Sequence, residues 1–466
     1  EGPRAAVHDL DGDGLDDIVI GGARGQSAVI LYQQKNGAFQ KIIPGAMAKD
    51  SISEDISIKL ADVNCDHKPD IYISSGSSEL PSSSSAMRDR LYLNTGNHDF
   101  KLATDFYRPS FESHHAVCLA DFDQDKDMDL VKFGRLIPFA FGVPPQQQMY
   151  LNNECHGWQK TNINEEVFTP GMVTSAIPVD IDSDGDDDIM VAYEYGPVRL
   201  FLNEHGKFSS TASTDGLESF KGLWHHISVT DIDEDGDLDI IACNHGLNSR
   251  LKADTIHPLV LYVNDFDRNG QTEQILCWRK DGLDYPVALK DDLLKQLPYL
   301  NKKYTTFASF AKATIQDMFD ADQIKHSIIY TINELRTGIF YNEKGRFKFV
   351  ALPDEAQLTI QYVSWTGDIN GDHRSDIILG GNQYSAKPEM GIYAASYGTV
   401  LIQEESGKFK PSPFQESGLF EVGSIRDIQL IHIGTRPHLL IVKNNDTPSM
   451  YAMPYFTLPS SSINYQ

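Results

Sequence analysis

A nine-residue acidic frame recurs seven times along the chain, with oxygen-bearing side chains at its first, third, fifth and ninth positions. The copies begin at Asp9, Asp62, Asp121, Asp180, Asp231, Asp265 and Asp368. A tight turn of this spacing can aim alternate side chains and one carbonyl at a single point. That suits a hard cation such as Ca2+, which takes roughly six to eight oxygens. In the first copy the donors would be Asp9, Asp11, Asp13, the Leu15 carbonyl and Asp17. The same register gives Asp62, Asn64, Asp66, Lys68 (carbonyl) and Asp70 in the second, and Asp121, Asp123, Asp125, Asp127 and Asp129 in the third. It gives Asp180, Asp182, Asp184, Asp186 and Asp188, then Asp231, Asp233, Asp235, Asp237 and Asp239 in the fourth and fifth. The sixth offers Asp265, Asp267, Asn269, Gln271 and Glu273, and the seventh Asp368, Asn370, Asp372, Arg374 and Asp376. An EF-hand needs a Glu at position twelve. Here that position holds Ile20, Ile73, Lys132, Val191, Ala242, Leu276 and Leu379, which excludes it. A short apolar run such as DIVIGG or DIIACNHG follows each frame, so the frames join pairs of strands.

Charge supports the same assignment. By count the seven frames carry a net −27, against −26 for the whole chain, so everything outside them is close to neutral. Uncompensated, the carboxylates of one turn would repel each other, and up to seven calcium ions would relieve this. An acidic balance of this size disfavours nucleic acid as a partner. No window approaches the roughly 18 consecutive apolar residues of a membrane span. The five cysteines are odd in number and far apart, which does not resemble a disulfide framework. Calcium loops of modest affinity fill outside the cytosol. The expected setting is therefore extracellular, cell-surface or periplasmic, and the chain is expected to be part of a longer exported one.

A second repeat fixes the architecture. Six hairpins read apolar run, polar turn, Gly or Asn, aromatic: LYQQKNGAF, LYLNTGNHDF, MYLNNECHGW, LFLNEHGKF, IFYNEKGRF and LIQEESGKF. Four strands, with an acidic turn between the first two and this turn between the last two, make one propeller blade. The first five frames start 53, 59, 59 and 51 residues apart, but the sixth follows after only 34. The expectation is an all-β, seven-bladed β-propeller over 1–466, with eight blades as the alternative. Residues 248–327 would be an insertion in blade five holding a calcium-loop hairpin and helices at Asp291–Leu297 and Ser309–Phe319. The final segment, without a frame, would be blade seven.

These residues resemble the FG-GAP, or VCBS-type, repeats of integrin alpha-subunit propellers and many bacterial surface proteins. The pattern DxDxDGxxD followed by apolar residues and GG is nearly complete at Asp9 and Asp180. Position six departs as His67, Lys126 and His373 in three copies, and the Asp265 copy has Asn269 and Glu273. Weaker binding is expected in those four. The stretch from Asp265 through LLKQLPYL to GGNQYSAKPEMGIYAASYG is also similar to the C-terminal propeller of large bacterial proteins with FG-GAP repeats and an ASPIC/UnbV domain. That resemblance implies export but no defined activity.

Function would sit on the face opposite the acidic turns, where the longer loops gather. Candidate ligand-binding residues there are Arg24, Arg135, Trp224, His225, His226, Asn244, Asn382 and Tyr384, in a set that also includes His115, Tyr195, His245, Tyr362 and Lys387. The favoured reading is a non-enzymatic module for a protein or glycan outside the cell, an outer-membrane protein among the candidates. The alternative is a polysaccharide-acting enzyme similar to rhamnogalacturonan lyases, with no catalytic residue identifiable from the sequence.

Overall fold

The computed structural model describes residues 2–107, 113–161, 168, 171–210, 216–387 and 390–453. The first blade shows how the sequence builds each sheet. Strands β1 (Ala5–His8), β2 (Asp17–Ile20), β3 (Val29–Gln33) and β4 (Phe39–Ile42) form an antiparallel meander. His8 pairs directly with Asp17, so the first eight residues of the frame are the turn. Along β2, Ile18 packs toward the last blade and Val19 toward the second. A strand covered on both faces must be apolar at successive positions rather than alternate ones, which is why DIVI lacks a polar face.

The pattern repeats around a closed ring. Innermost strands Ala5–His8, Asp55–Ala61, Ser113–Ala120, Met172–Val179, His226–Thr230, Gln361–Gly367 and Ser424–Ile433 contact one another in that order, and the last meets the first. Between each adjacent pair of these seven sheets lies one apolar core. The last sheet has three described strands and no acidic frame.

The chain leaves blade five after Asp239–Cys243 and returns at Gly338–Asn342, which pairs with it. The excursion therefore spans 244–337 and is wider than 248–327. Ile328–Ile332 belongs to it, pairing with Leu259–Asn264 in a separate four-stranded sheet. This sheet adds no innermost strand to that ring of contacts. One of its faces is covered by helices through Leu293, Leu297, Ile315 and Phe319, and the other packs on Leu223, Leu251 and Leu335. Lys290–Gln296 is helical as expected, but Ser309–Phe319 is not one helix. It splits into Phe307–Phe310 and Ile315–Met318 because the Thr314 hydroxyl accepts from the Asp317 N–H and starts a new turn.

The cysteines form no framework, but one pair is joined. Cys65, in the second acidic turn, and Cys155, in the third blade's hairpin turn, form a disulfide across the seam between those blades. Residues 90 apart in sequence become neighbours only when the blades stack, so spacing gave no signal. Cys118, Cys243 and Cys277 are free and buried.

Candidate metal centres and the axial cup

All seven acidic turns adopt one backbone. Positions four and six have positive φ in every copy, from Gly12 (79°) and Gly14 (82°) to Cys65 (59°) and His67 (65°), Gln124 (61°) and Lys126 (78°), and Gly371 (84°) and His373 (70°). The non-glycine residues at position six thus hold the left-handed geometry that glycine adopts without cost. In every copy the first Asp accepts the N–H of position five at 2.9–3.2 Å and of position six at 2.7–3.1 Å. The ninth-position acid accepts the N–H of position two at 2.8–3.2 Å. These bonds orient the carboxylates while leaving further lone pairs toward the centre of the turn.

Five turns bring one carboxylate oxygen from each of three acids within 4.8 Å of the others: Asp9, Asp11 and Asp13; Asp121, Asp123 and Asp129; Asp180, Asp182 and Asp188; Asp231, Asp233 and Asp239; Asp265, Asp267 and Glu273. The turns at Asp62 and Asp368 differ. Each has Asn at position three, and the position-seven base, Lys68 or Arg374, pairs with the position-five acid, Asp66 or Asp372. Burial, reinforced by neighbouring carboxylates of the same turn, raises the ninth-position Asp to about 6 at Asp17 and Asp376 and about 7 at Asp70, Asp129, Asp188 and Asp239. Crowded oxygen donors of one sign fit a hard divalent cation. The acidic clusters are therefore compatible with calcium.

In six of the turns the ninth-position acid also ties the turn to its surroundings. Its other oxygen accepts the N–H of an Asn or Gln at the end of the third strand: Gln33, Asn94, Asn152, Asn203, Asn342 or Gln403, at 2.7–2.9 Å. In four blades that residue's side-chain amide donates to the position-two carbonyl of the preceding blade's turn, namely Leu10, Val63, Phe122 and Ile232. Gln33 reaches the His432 carbonyl instead. Position seven adds a link that a carbonyl-only role missed, since the Asp127, Asp186 and Asp237 carboxylates accept the N–H groups of Cys155, His205 and Lys344 in the hairpin turns. The signal for this clasp was the Asn or Gln at a fixed place in the hairpin repeat. The Asn342 amide donates to the Leu238 carbonyl of its own blade and to no preceding-blade carbonyl among the described residues, and at that seam a cavity of about 370 Å3 opens, lined by Leu200, Leu238 and Phe347. Asn203→Ala should therefore cost about 1–3 kcal/mol by leaving buried carbonyls unpaired. Asn342→Ala, with no cross-blade bond to lose, should cost less. Urea unfolding of the two variants checks the order.

The opposite end of the ring holds a cup of about 360 Å3 on the axis. It is built where first strands begin and second strands end. It continues into an axial channel of about 470 Å3 that includes Lys59 and His226. Of the expected ligand residues, the cup gathers Arg135 and His225, together with His115, Tyr195, His245, Tyr362 and Lys387. Sequence reasoning did not single out Arg4 or Arg426, which also line it.

Other expectations are corrected. Trp224 is fully buried and packs on Phe340 and Phe349 in the core between blades four and five. Asn244 and Asn382 are buried and serve the backbone: Asn244 accepts from the Leu223 N–H and donates to the Glu334 carbonyl, and Asn382 donates to the Ser396 and Gly423 carbonyls. Arg24 is exposed beside Glu79 and Tyr384 is exposed, and neither lines the cup. No group of three histidines converges as a metal site among the described residues.

Burial keeps the axial histidines neutral. It lowers His245 to about 4 and His226 to about 3, the latter helped by Arg4 and Lys59, and His225 is lowered by burial and then by His245, Arg135, Arg426 and His115. A histidine lowered by folding takes up its proton in the unfolded chain first. Its contribution is whole above the unfolded value near 6.5 and is lost as pH falls toward the folded value. At pH 5 the loss through His245 should be about 2 kcal/mol. Thermal melts of the wild type and His245→Gln at pH 7.5 and 5 should show a smaller acid-side decline in the variant.

The family described as FG-GAP-like repeat matches residues 9–73 and 180–242, so the ring of sheets is a β-propeller that carries FG-GAP-like repeats. Among curated proteins none is detectably similar. Similar solved structures include an Agrocybe aegerita lectin that recognises non-reducing terminal N-acetylglucosamine, 13% identical over 98% of this chain and 86% of that one, TM-score 0.42. Another is the V. cholerae biofilm matrix protein Bap1, 12% identical over 97% and 87%, TM-score 0.38. A third is YCF48 bound to D1 peptide, 7% identical over 97% and 96%, TM-score 0.41.

Proposed function

We propose that the protein is an exported, calcium-binding propeller that acts outside the cell as a non-enzymatic binding or scaffold module for a protein or glycan. The observation that carries this reading is the division of the ring. One end carries six identically folded acidic turns, with a seventh in the separate sheet, and the other end is an axial cup lined by cationic, imidazole and aromatic groups. Calcium would neutralise the turns, with the five triple-acid turns filling first and those at Asp62 and Asp368, which carry an internal cation, filling last. The Cys65–Cys155 disulfide supports an oxidising compartment. No helix among the described residues is long and apolar enough to cross a membrane.

The test is capture of polysaccharides and surface proteins by the immobilised protein, in calcium and in EDTA, with product analysis of every bound polysaccharide. Calcium-dependent capture without cleavage is expected. Cleavage that stops in Arg135→Gln would replace this reading with the lyase one.

A further inference from the structure

Within the cup the charge balance is the reverse of the chain's. Arg4, Arg135, Lys387 and Arg426 line it against Glu194, in a protein of net charge −26. Glu194 is committed to Arg135 at 2.8 Å. Arg426 is the unusual group. It is only 5% exposed, yet no carboxylate pairs with it among the described residues. One terminal nitrogen donates to the Asn382 and Ile425 carbonyls, the other to the Gln383 side chain, and its Nε has no partner among the described residues. Arg4 donates to the Arg426 carbonyl, which sets a second guanidinium alongside. A buried charge is normally compensated, because desolvation without a counter-charge costs several kcal/mol. Here the fork is fixed in place and no counter-charge meets it among the described residues.

The rest of the lining says what carries that charge. The Arg426 guanidinium lies 3.9 Å over the Tyr362 ring, which also meets His225 at 4.8 Å, and His245 meets Tyr393 edge-on at 5.1 Å. His225 Nε2, His245 Nε2 and the Tyr393 hydroxyl are buried polar atoms without a partner among the described residues. Aromatic faces with neutral donors and acceptors beside them suit a ring bearing hydroxyls. At about 360 Å3 the cup is at the small end of ligand sites, with room for a terminal sugar unit and not for a folded peptide segment.

We propose that the cup binds a carboxylate-bearing sugar unit, a hexuronate at the end or branch of an acidic saccharide, with Arg426 and Arg4 meeting the carboxylate and Tyr362 and Tyr393 the ring. This rests on the binding-module reading and narrows it to a substrate class.

The experiment is calorimetric titration of the calcium-loaded protein with digalacturonate, with a neutral galactose disaccharide and with a Glu-rich peptide. Wild type, Arg4→Gln and Arg426→Lys are compared after each variant's melting temperature is shown to match the wild type. Digalacturonate should bind and the neutral sugar should not. Arg4→Gln, which leaves the buried Arg426 in place and so keeps the test usable if Arg426→Lys misfolds, should weaken binding about tenfold. Binding of the neutral disaccharide with equal affinity would overturn the uronate assignment while leaving a binding module standing. So would digalacturonate affinity unchanged in Arg4→Gln, or binding of the peptide alone. If digalacturonate fails to bind, the uronate assignment falls. If the wider capture panel is also blank, the module reading falls with it.

Discussion

In excess EDTA the protein should melt about 5 °C below its value in millimolar calcium. An ion that binds only the folded turn stabilises by RT ln(1 + [L]/Kd), about 1 kcal/mol per site when calcium stands a few-fold above an extracellular-type dissociation constant. Five turns with three converging acids would together supply roughly 5 kcal/mol, with smaller additions from the turns at Asp62 and Asp368. Asp184→Ala and Asp235→Ala should each release one ion by native mass spectrometry. Each removes the oxygen that also orients position seven. Differential scanning calorimetry with and without chelator is the measurement, and coincident melting curves would show that the turns close without metal.

Asp89→Ala should destabilise the protein by about 3–5 kcal/mol, the cost of breaking a buried ion pair from one side. Asp89 accepts from Lys132 Nζ at 3.0 Å, the Tyr72 hydroxyl at 2.9 Å and the Ser75 N–H at 2.9 Å, and His114 Nδ1 lies 3.2 Å away. Lys132 is wholly buried, with its ammonium 5.2 Å from the Tyr150 ring and 5.6 Å from Tyr107. Burial by itself would raise the Asp89 carboxyl, but Lys132 and His114 together hold it below the usual range. A lowered carboxyl contributes fully above the unfolded value near 4 and loses its contribution only below that. Between pH 6.5 and 5 the contribution of this pair is therefore constant. The control is Asp89→Leu combined with Lys132→Met, which removes both charges and should recover most of the loss. Chemical denaturation of the single and double variants decides the matter, and a double variant as unstable as the single one would refute the ion-pair account.

The sequence by itself determined the repeat and what it builds. Acids at alternate positions followed by runs apolar at successive positions satisfy both demands as exposed acidic turns joining strands buried on two faces. That holds for Asp9 to Ile20 as for Asp231 to Cys243. It also located the odd sixth frame, because its 34-residue offset breaks the period. Tertiary structure alone decided which distant groups meet. Cys65 and Cys155, Asn203 and the Phe122 carbonyl, Asp89 and Lys132, and Arg4 and Arg426 lie on different blades. Their contacts depend on the stacking of sheets around the axis; the repeat marks the hairpin Asn but not the distant group it meets. Trp224 shows the same limit from the other side. A residue at the start of an innermost strand can face the axis or the seam, and the packing of Phe340 and Phe349 placed it in the seam.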